Sequence, residues 1–128
     1  MISFKVFWWS IEFVHFLLGS FGFLFAKPTV VNSYSLHPNA PSNVKTYEMM
    51  RVSAVFYLSF TLLSFLNIFH TKLNIFSSII YGQFYFWFML YDAYDMITIG
   101  YSVNKSRYTD TLVHVLFGLA HLYLCITK

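Results

Sequence analysis

The sequence predicts an all-α fold, an integral membrane four-helix bundle that forms one transmembrane domain over residues 1–128. Four apolar stretches cover most of the chain, and each is close to the roughly 20 residues that a helix needs to cross a bilayer. Hydrophobic residues make up 58% of the chain and charged residues 10%, whereas soluble domains carry about 25% charged residues. The connections between the stretches are polar, which is typical of segments outside the hydrocarbon.

The first apolar stretch, residues 4–26, is predicted to be a retained helix. Its apolar run is longer than the roughly 7–15 residues of a signal-peptide core, and it contains Glu12 and His15. Pro28 ends the helix because proline lacks an amide donor. The polar residues 27–46 that follow are predicted to form a long loop outside the membrane.

The three other stretches are residues 47–69, 75–101 and 109–126. Short polar connections separate them, so consecutive helices are expected to be antiparallel neighbours. Thr109 is predicted to be the N-cap of the fourth helix, with Asp110 favourably placed in its first turn. Four crossings place both termini on the same side of the membrane.

Basic residues predict the orientation of the chain. Lys27, Lys45, Arg51, Lys105 and Arg107 lie on the side of the 27–46 loop, and Lys5, Lys72 and Lys128 lie on the other side. The positive-inside bias therefore favours the cytoplasmic or matrix side for the long loop. We expect either the mitochondrial inner membrane or the endoplasmic reticulum, which the sequence does not distinguish.

Ionisable residues inside the spans sort by depth into two layers, at about 1.5 Å per helical residue. The layer near the long loop contains Arg51, Asp92, Asp95 and His114. Unpaired charge is costly at that depth, so we predict an ion pair from Arg51 to Asp95, or to the deeper Asp92, that joins the second and third helices. The alternative is a polar pocket in which His114 carries protons.

The second layer contains Glu12, His15, Gln83 and His121 and is the candidate site for a ligand or for proton handling. Glu12 and His15 have the Glu-x-x-His spacing of di-iron bundles, but the remaining carboxylates are missing, so no metal site is predicted. His15 paired with His114 or His121 is an alternative as axial ligands of haem b. We favour hydrogen bonding across helices, and therefore no cofactor.

Small residues predict where helices approach closely. Gly19 and Gly22 in the first helix, and Gly118 in the fourth, offer surfaces without bulky side chains. We expect these surfaces to pack the first helix against the fourth.

The sequence contains no nucleophilic triad, zinc-ligand set or phosphate-binding glycine loop, so no catalytic residue is predicted and a non-enzyme is favoured. Basic residues are scattered singly, which argues against nucleic acid as a partner. We expect a non-catalytic accessory or scaffold subunit of a larger membrane complex, for example a respiratory one. Its partners would be the lipid bilayer and other membrane subunits or a second copy. The alternatives are a lipid-, sterol- or quinone-binding membrane protein or enzyme, and an oligomeric small transporter or channel.

Overall fold

The computed structural model describes residues 3–25, 44–99 and 105–127, with their side chains except at 44–48, 71, 95, 96, 98, 99, 105–107 and 110. Within these ranges the chain forms four α-helices and no strand, which confirms the all-α prediction. The helices are α1 (Phe4–Leu24), α2 (Val44–Phe69), α3 (Asn74–Ile99) and α4 (Lys105–Ile126), and a short 3-10 turn covers Thr71–Leu73. Each helix overlaps one of the four predicted stretches.

Local capping rules account for the beginning of α1, whereas the beginning of α4 differs from the prediction. Ser3 is the N-cap of α1, because its hydroxyl accepts a hydrogen bond from the amide of Val6 at 3.3 Å. α4 begins at Lys105, four residues before Thr109, so the predicted N-cap at Thr109 is wrong. Lys105 and Arg107 are good helix formers, and the helix continues through them toward the N-terminus.

The helices divide into two compact units, and α1 and α2 belong to the first. The ring of Phe13 meets Phe65 at a centroid distance of 5.8 Å, and Phe23 meets Tyr57 at 4.8 Å. Phe13 precedes Phe23 in α1, whereas its partner Phe65 follows Tyr57 in α2, so the two helices are antiparallel. Gly19 lies directly under the Tyr57 ring: a Cβ atom at Gly19 would be 2.6 Å from its Cδ1 atom.

The second unit contains α3 and α4, which also form an antiparallel pair. At one end the side-chain amide of Asn74 donates to the carbonyl of Leu124 at 3.4 Å. Toward the other end Thr111 donates to Asp92 at 3.2 Å. Gly118 lies against Tyr85 of α3, and Gly19 lies against Tyr57 of α2. The expected packing of α1 against α4 joins the two units and remains a prediction.

Two of the described helices are long and apolar enough to cross a membrane, by length and composition. They are Phe4–Leu24 and Met49–Phe69; the apolar part of α4, Thr111–Ile126, is shorter. α3 carries Asn74, Ser77, Ser78, Gln83 and Asp92, which lower its hydropathy. Four membrane crossings, and a single bundle of all four helices, remain predictions.

Candidate functional site

The most polar part of the described core lies along one face of α3. Asn74, Ser78, Tyr81, Tyr85 and Asp92 are all buried, and their spacings of three, four or seven residues place them on one side of the helix. This face packs against α4, which contributes His114 and His121. The sequence therefore builds a stripe of polar and aromatic groups where most helical cores are purely aliphatic.

Asp92 is the centre of a hydrogen-bonded cluster between the two helices. Its Oδ2 atom lies 3.0 Å from Nδ1 of His114 and accepts a hydrogen bond from the Thr111 hydroxyl at 3.2 Å. The Asp92 side chain is 2% exposed and that of His114 is 14% exposed. A buried carboxylate needs such partners, because burial removes the water that otherwise stabilises its charge.

The contact with Asp92 links the tautomer of His114 to the charge of the carboxyl group. With Asp92 ionised, its oxygens can only accept hydrogen bonds, and Nδ1 of His114 is the donor. In that tautomer of the neutral ring, Nε2 carries no proton. The hydrogen bond also orients the ring.

Aromatic rings connect this cluster to the second buried histidine of α4. Tyr85 lies 6.0 Å from His114 and stacks on His121 at 5.9 Å, with planes 14° apart. Tyr81 adds a further ring 5.1 Å from His121. His121 is fully buried, so its imidazole is held by aromatic packing on the face of α3.

The structure describes only some side chains of the predicted first layer. Asp92 and His114 lie together in the second unit, whereas Arg51 belongs to the first unit and is exposed. The side chain of Asp95 lies outside the described residues. The ion pair from Arg51 to Asp95 or Asp92 therefore remains a prediction.

The predicted second layer is divided between the units. Glu12 is buried and His15 half-buried in α1, while His121 is buried and Gln83 exposed in the second unit. Haem b ligation by His15 with His114 or His121 is the alternative to the predicted absence of a cofactor, and it stays an untested alternative. Among the described residues, no group of three or more His, Cys, Asp or Glu side chains is arranged to hold a metal ion.

A groove with a volume of about 350 Å³ runs along another face of the α3–α4 pair. Ser78, Gly82 and Gln83 line it from α3, and Gly118 and Cys125 line it from α4. Sequence reasoning selected Gln83 but missed the groove. It also missed Thr111 and the two tyrosines beside the histidines, although the heptad-like spacing of Ser78, Tyr81, Tyr85 and Asp92 is visible in the sequence.

Comparison with known proteins adds no relative. No protein-family model, curated protein sequence or solved structure matches the chain. The chemistry of the site therefore has to be argued from the residues of this chain.

Proposed function

We propose that the chain is an integral membrane protein that serves as a non-catalytic helical subunit of a larger membrane assembly. One observation carries the membrane location: several polar side chains are buried, whereas many large apolar side chains are exposed. The buried residues include Glu12, Asn67, Asp92 and His121, and the exposed ones include Leu18, Phe56, Leu62, Trp87 and Leu119. Water would make such a surface prone to association, whereas lipid solvates it.

Hydrogen bonding within the helices supports the same location. The hydroxyls of Ser10, Ser20, Ser53, Ser59 and Thr61 each donate to the carbonyl oxygen four residues earlier in the same helix. The side-chain amide of Asn67 does the same toward Leu63, at 2.8 Å. Polar side chains satisfied in this way need no water, which suits a hydrocarbon environment.

The low burial of the apolar helices argues against a soluble core helix. Only 28% of the apolar window of α1 and 22% of that of α2 are buried. A core helix of a soluble protein has most of its apolar surface covered by the protein itself. The exposed apolar faces of α1 and α2 fit contact with lipid or with helices of another membrane subunit.

Extraction of the full chain from membranes tests the location. Expressed with a tag in a eukaryotic cell, the protein should stay in the pellet after alkaline carbonate treatment and dissolve only in detergent. A known peripheral protein in the same sample is the control for release. Recovery of the chain in the carbonate supernatant would overturn the membrane proposal.

The subunit role is supported by how the chain uses its polar groups. His114 and Thr111 both form hydrogen bonds with Asp92, and Asn74 binds the opposite helix backbone. Such pairing holds α3 to α4 and is an ordinary use of polar residues between membrane helices. Large exposed aromatic residues such as Phe56 and Trp87 then provide contact area for partner helices.

Native electrophoresis after mild detergent extraction tests the subunit role. We expect the chain to migrate with other membrane proteins at a mass well above its own 15.1 kDa. Mass spectrometry of the band identifies those proteins, and a cross-linker applied before extraction controls for association in detergent. A monodisperse monomer in both samples would contradict the subunit role and leave the membrane location standing.

A second candidate function is proton handling by His114, in either a ligand-binding protein or an oligomeric transporter. The observation that favours it is the hydrogen bond between Nδ1 of His114 and the carboxylate of Asp92, which orients the ring. Purified protein in liposomes with an internal pH dye would dissipate a pH gradient, and His114→Phe would abolish that flux. Equal flux through both proteins would exclude a role for His114, and no flux through the unmodified chain would exclude transport.

A further inference from the structure

The groove between α3 and α4 has the shape of a site for one extended chain. Its walls are apolar side chains, among them Ile79, Phe86 and Leu122. Gly82 and Gly118 contribute no side chain, and their positions allow the groove to reach the helix backbones. The groove lies entirely within the second unit, so its form depends on these two helices.

The dimensions of the groove indicate which kind of ligand it can hold. From Ser78 to Met89 it follows α3 for eleven residues, or about 16 Å at the helical rise. Its volume of about 350 Å³ lies at the lower end of the roughly 300–1,000 Å³ that small-molecule sites in proteins have. A narrow, elongated space of this size suits a single hydrocarbon chain.

The polar groups of the groove lie toward one end. Ser78 and Cys125 line this end and Gln83 follows one turn later, whereas Met89 and Val115 line the apolar end. Among the side chains that the structure describes, no charged one lines the groove, so its electrostatics favour an uncharged ligand. Sites of this kind are mainly apolar, with a few polar groups that fix the orientation of the ligand.

Ser78 provides an independent indication of a ligand. Its side chain is 1% exposed, and its hydroxyl has no hydrogen-bond partner among the described residues. The hydroxyls of Ser20 and Ser59, in contrast, each donate to the carbonyl four residues earlier. Buried hydroxyls are nearly always hydrogen-bonded, so Ser78 marks a place where a partner is missing.

We propose that the groove binds one uncharged, single-chain lipid, with a hydroxyl or carbonyl oxygen bonded to Ser78 and the hydrocarbon tail extended toward Met89. The inference rests on the proposed membrane location only because the membrane supplies such a ligand. Binding to protein in detergent is measured separately from membrane extraction, so the two proposals can fail independently.

Photochemical labelling of the full chain in detergent tests the site. The probe is a long-chain fatty alcohol with a diazirine near the end of its tail, and cross-links are mapped by mass spectrometry. We expect saturable cross-links at the apolar end of the groove, near Met89 and Val115, that an excess of unlabelled alcohol removes. Cys125 is the single cysteine of the chain, and its reaction with a maleimide should slow when the groove is filled.

Two pairs of variants sharpen the test. Gly82→Leu places a side chain in the groove; a Cβ atom there would meet only the Cβ atom of His121, at 3.8 Å, so the helix pair accommodates it. We expect it to abolish saturable labelling, whereas Gly22→Leu, at a position with open space around it, should not. Ser78→Ala should weaken probe binding about tenfold through the lost hydrogen bond. Its buried neighbour Ser77 does not line the groove, so Ser77→Ala is the matched control.

Three results would contradict all or part of the proposal. The cross-links could be spread over the apolar faces of α1 and α2 and be unchanged by Gly82→Leu. That result would mean that the probe reacts from the surrounding detergent or lipid and not from a site in the groove. Cys125 shielded without any probe, together with a cross-link from the groove to a second polypeptide, would mean that a protein segment fills it. Ser78→Ala with unchanged affinity would remove the assigned hydrogen bond.

Discussion

Asp92 and His114 lie 22 residues apart in the chain, and a hydrogen bond of 3.0 Å joins them across α3 and α4. Thr111, one turn before His114, donates to the same carboxylate oxygen. Burial removes the water that stabilises the charge of a carboxylate, and two accepted hydrogen bonds replace part of that stabilisation. Removing these partners would leave the buried charge without compensation. The pair therefore determines the register in which the two helices pack.

Replacing Asp92 by alanine should destabilise the second unit by about 2–4 kcal/mol, because His114 and Thr111 lose their common acceptor. Asp92→Asn keeps an oxygen that accepts a hydrogen bond and should cost less. The free energy of unfolding can be measured from helicity during a denaturing-detergent titration. In a double-mutant cycle, Asp92→Ala and His114→Ala should couple by at least about 1 kcal/mol. Additive effects would show that the bond contributes nothing.

The two glycines of α1 should respond in opposite ways to alanine. At Gly19 a new Cβ atom would be 2.6 Å from the Tyr57 ring, which is itself packed against Phe16 and Phe23, so Gly19→Ala should destabilise the first unit by about 1–3 kcal/mol. Gly22 has nothing within 4 Å, and Gly22→Ala should be neutral or stabilising by up to about 1 kcal/mol. Thermal unfolding followed by circular dichroism compares them. Equal midpoints would contradict this packing of α1 on α2.

Tyr85 should be among the most sensitive positions in α3. It is fully buried and contacts the rings of His114, Phe117 and His121. Tyr85→Ala should cost about 3–5 kcal/mol of stability. Trp87, two residues later, is 64% exposed, and Trp87→Ala should change stability by less than about 0.5 kcal/mol. The same detergent titration measures both, and similar losses would contradict the assigned buried face.

A charge on the exposed face of α2 separates a membrane environment from water. Leu58 is exposed and lies near the middle of the apolar window Met49–Phe69. In a membrane, Leu58→Arg should weaken insertion by about 2.5–3.5 kcal/mol, whereas in water it would be harmless. Met49→Arg, at the end of the window, should cost much less because the side chain reaches the interface. Glycosylation tags on either side of α2 report the inserted fraction. Full insertion of Leu58→Arg would argue against the proposed span.

The helices were largely predictable from the sequence, because apolar runs and polar breaks are local properties. Each of α1 to α4 overlaps one apolar stretch. The beginning of α4 was not predictable from a single capping residue, since Thr109 lies inside a helix that Lys105 begins. Capping preferences are weak where the preceding residues also favour helix.

By itself, the sequence determined that the described chain is helical, that two of its helices are long and apolar enough to cross a membrane, and which few ionisable residues lie within the apolar stretches. Depth along the helices grouped Asp92 with His114 and with Arg51, but it could not select partners. Only the tertiary structure placed Asp92 on His114 and Thr111, Tyr85 on His121, and Gly19 under Tyr57. The physical reason is that depth depends on position along one helix, whereas a contact also depends on the rotation of each helix about its axis. That rotation is set by the packing of both faces together.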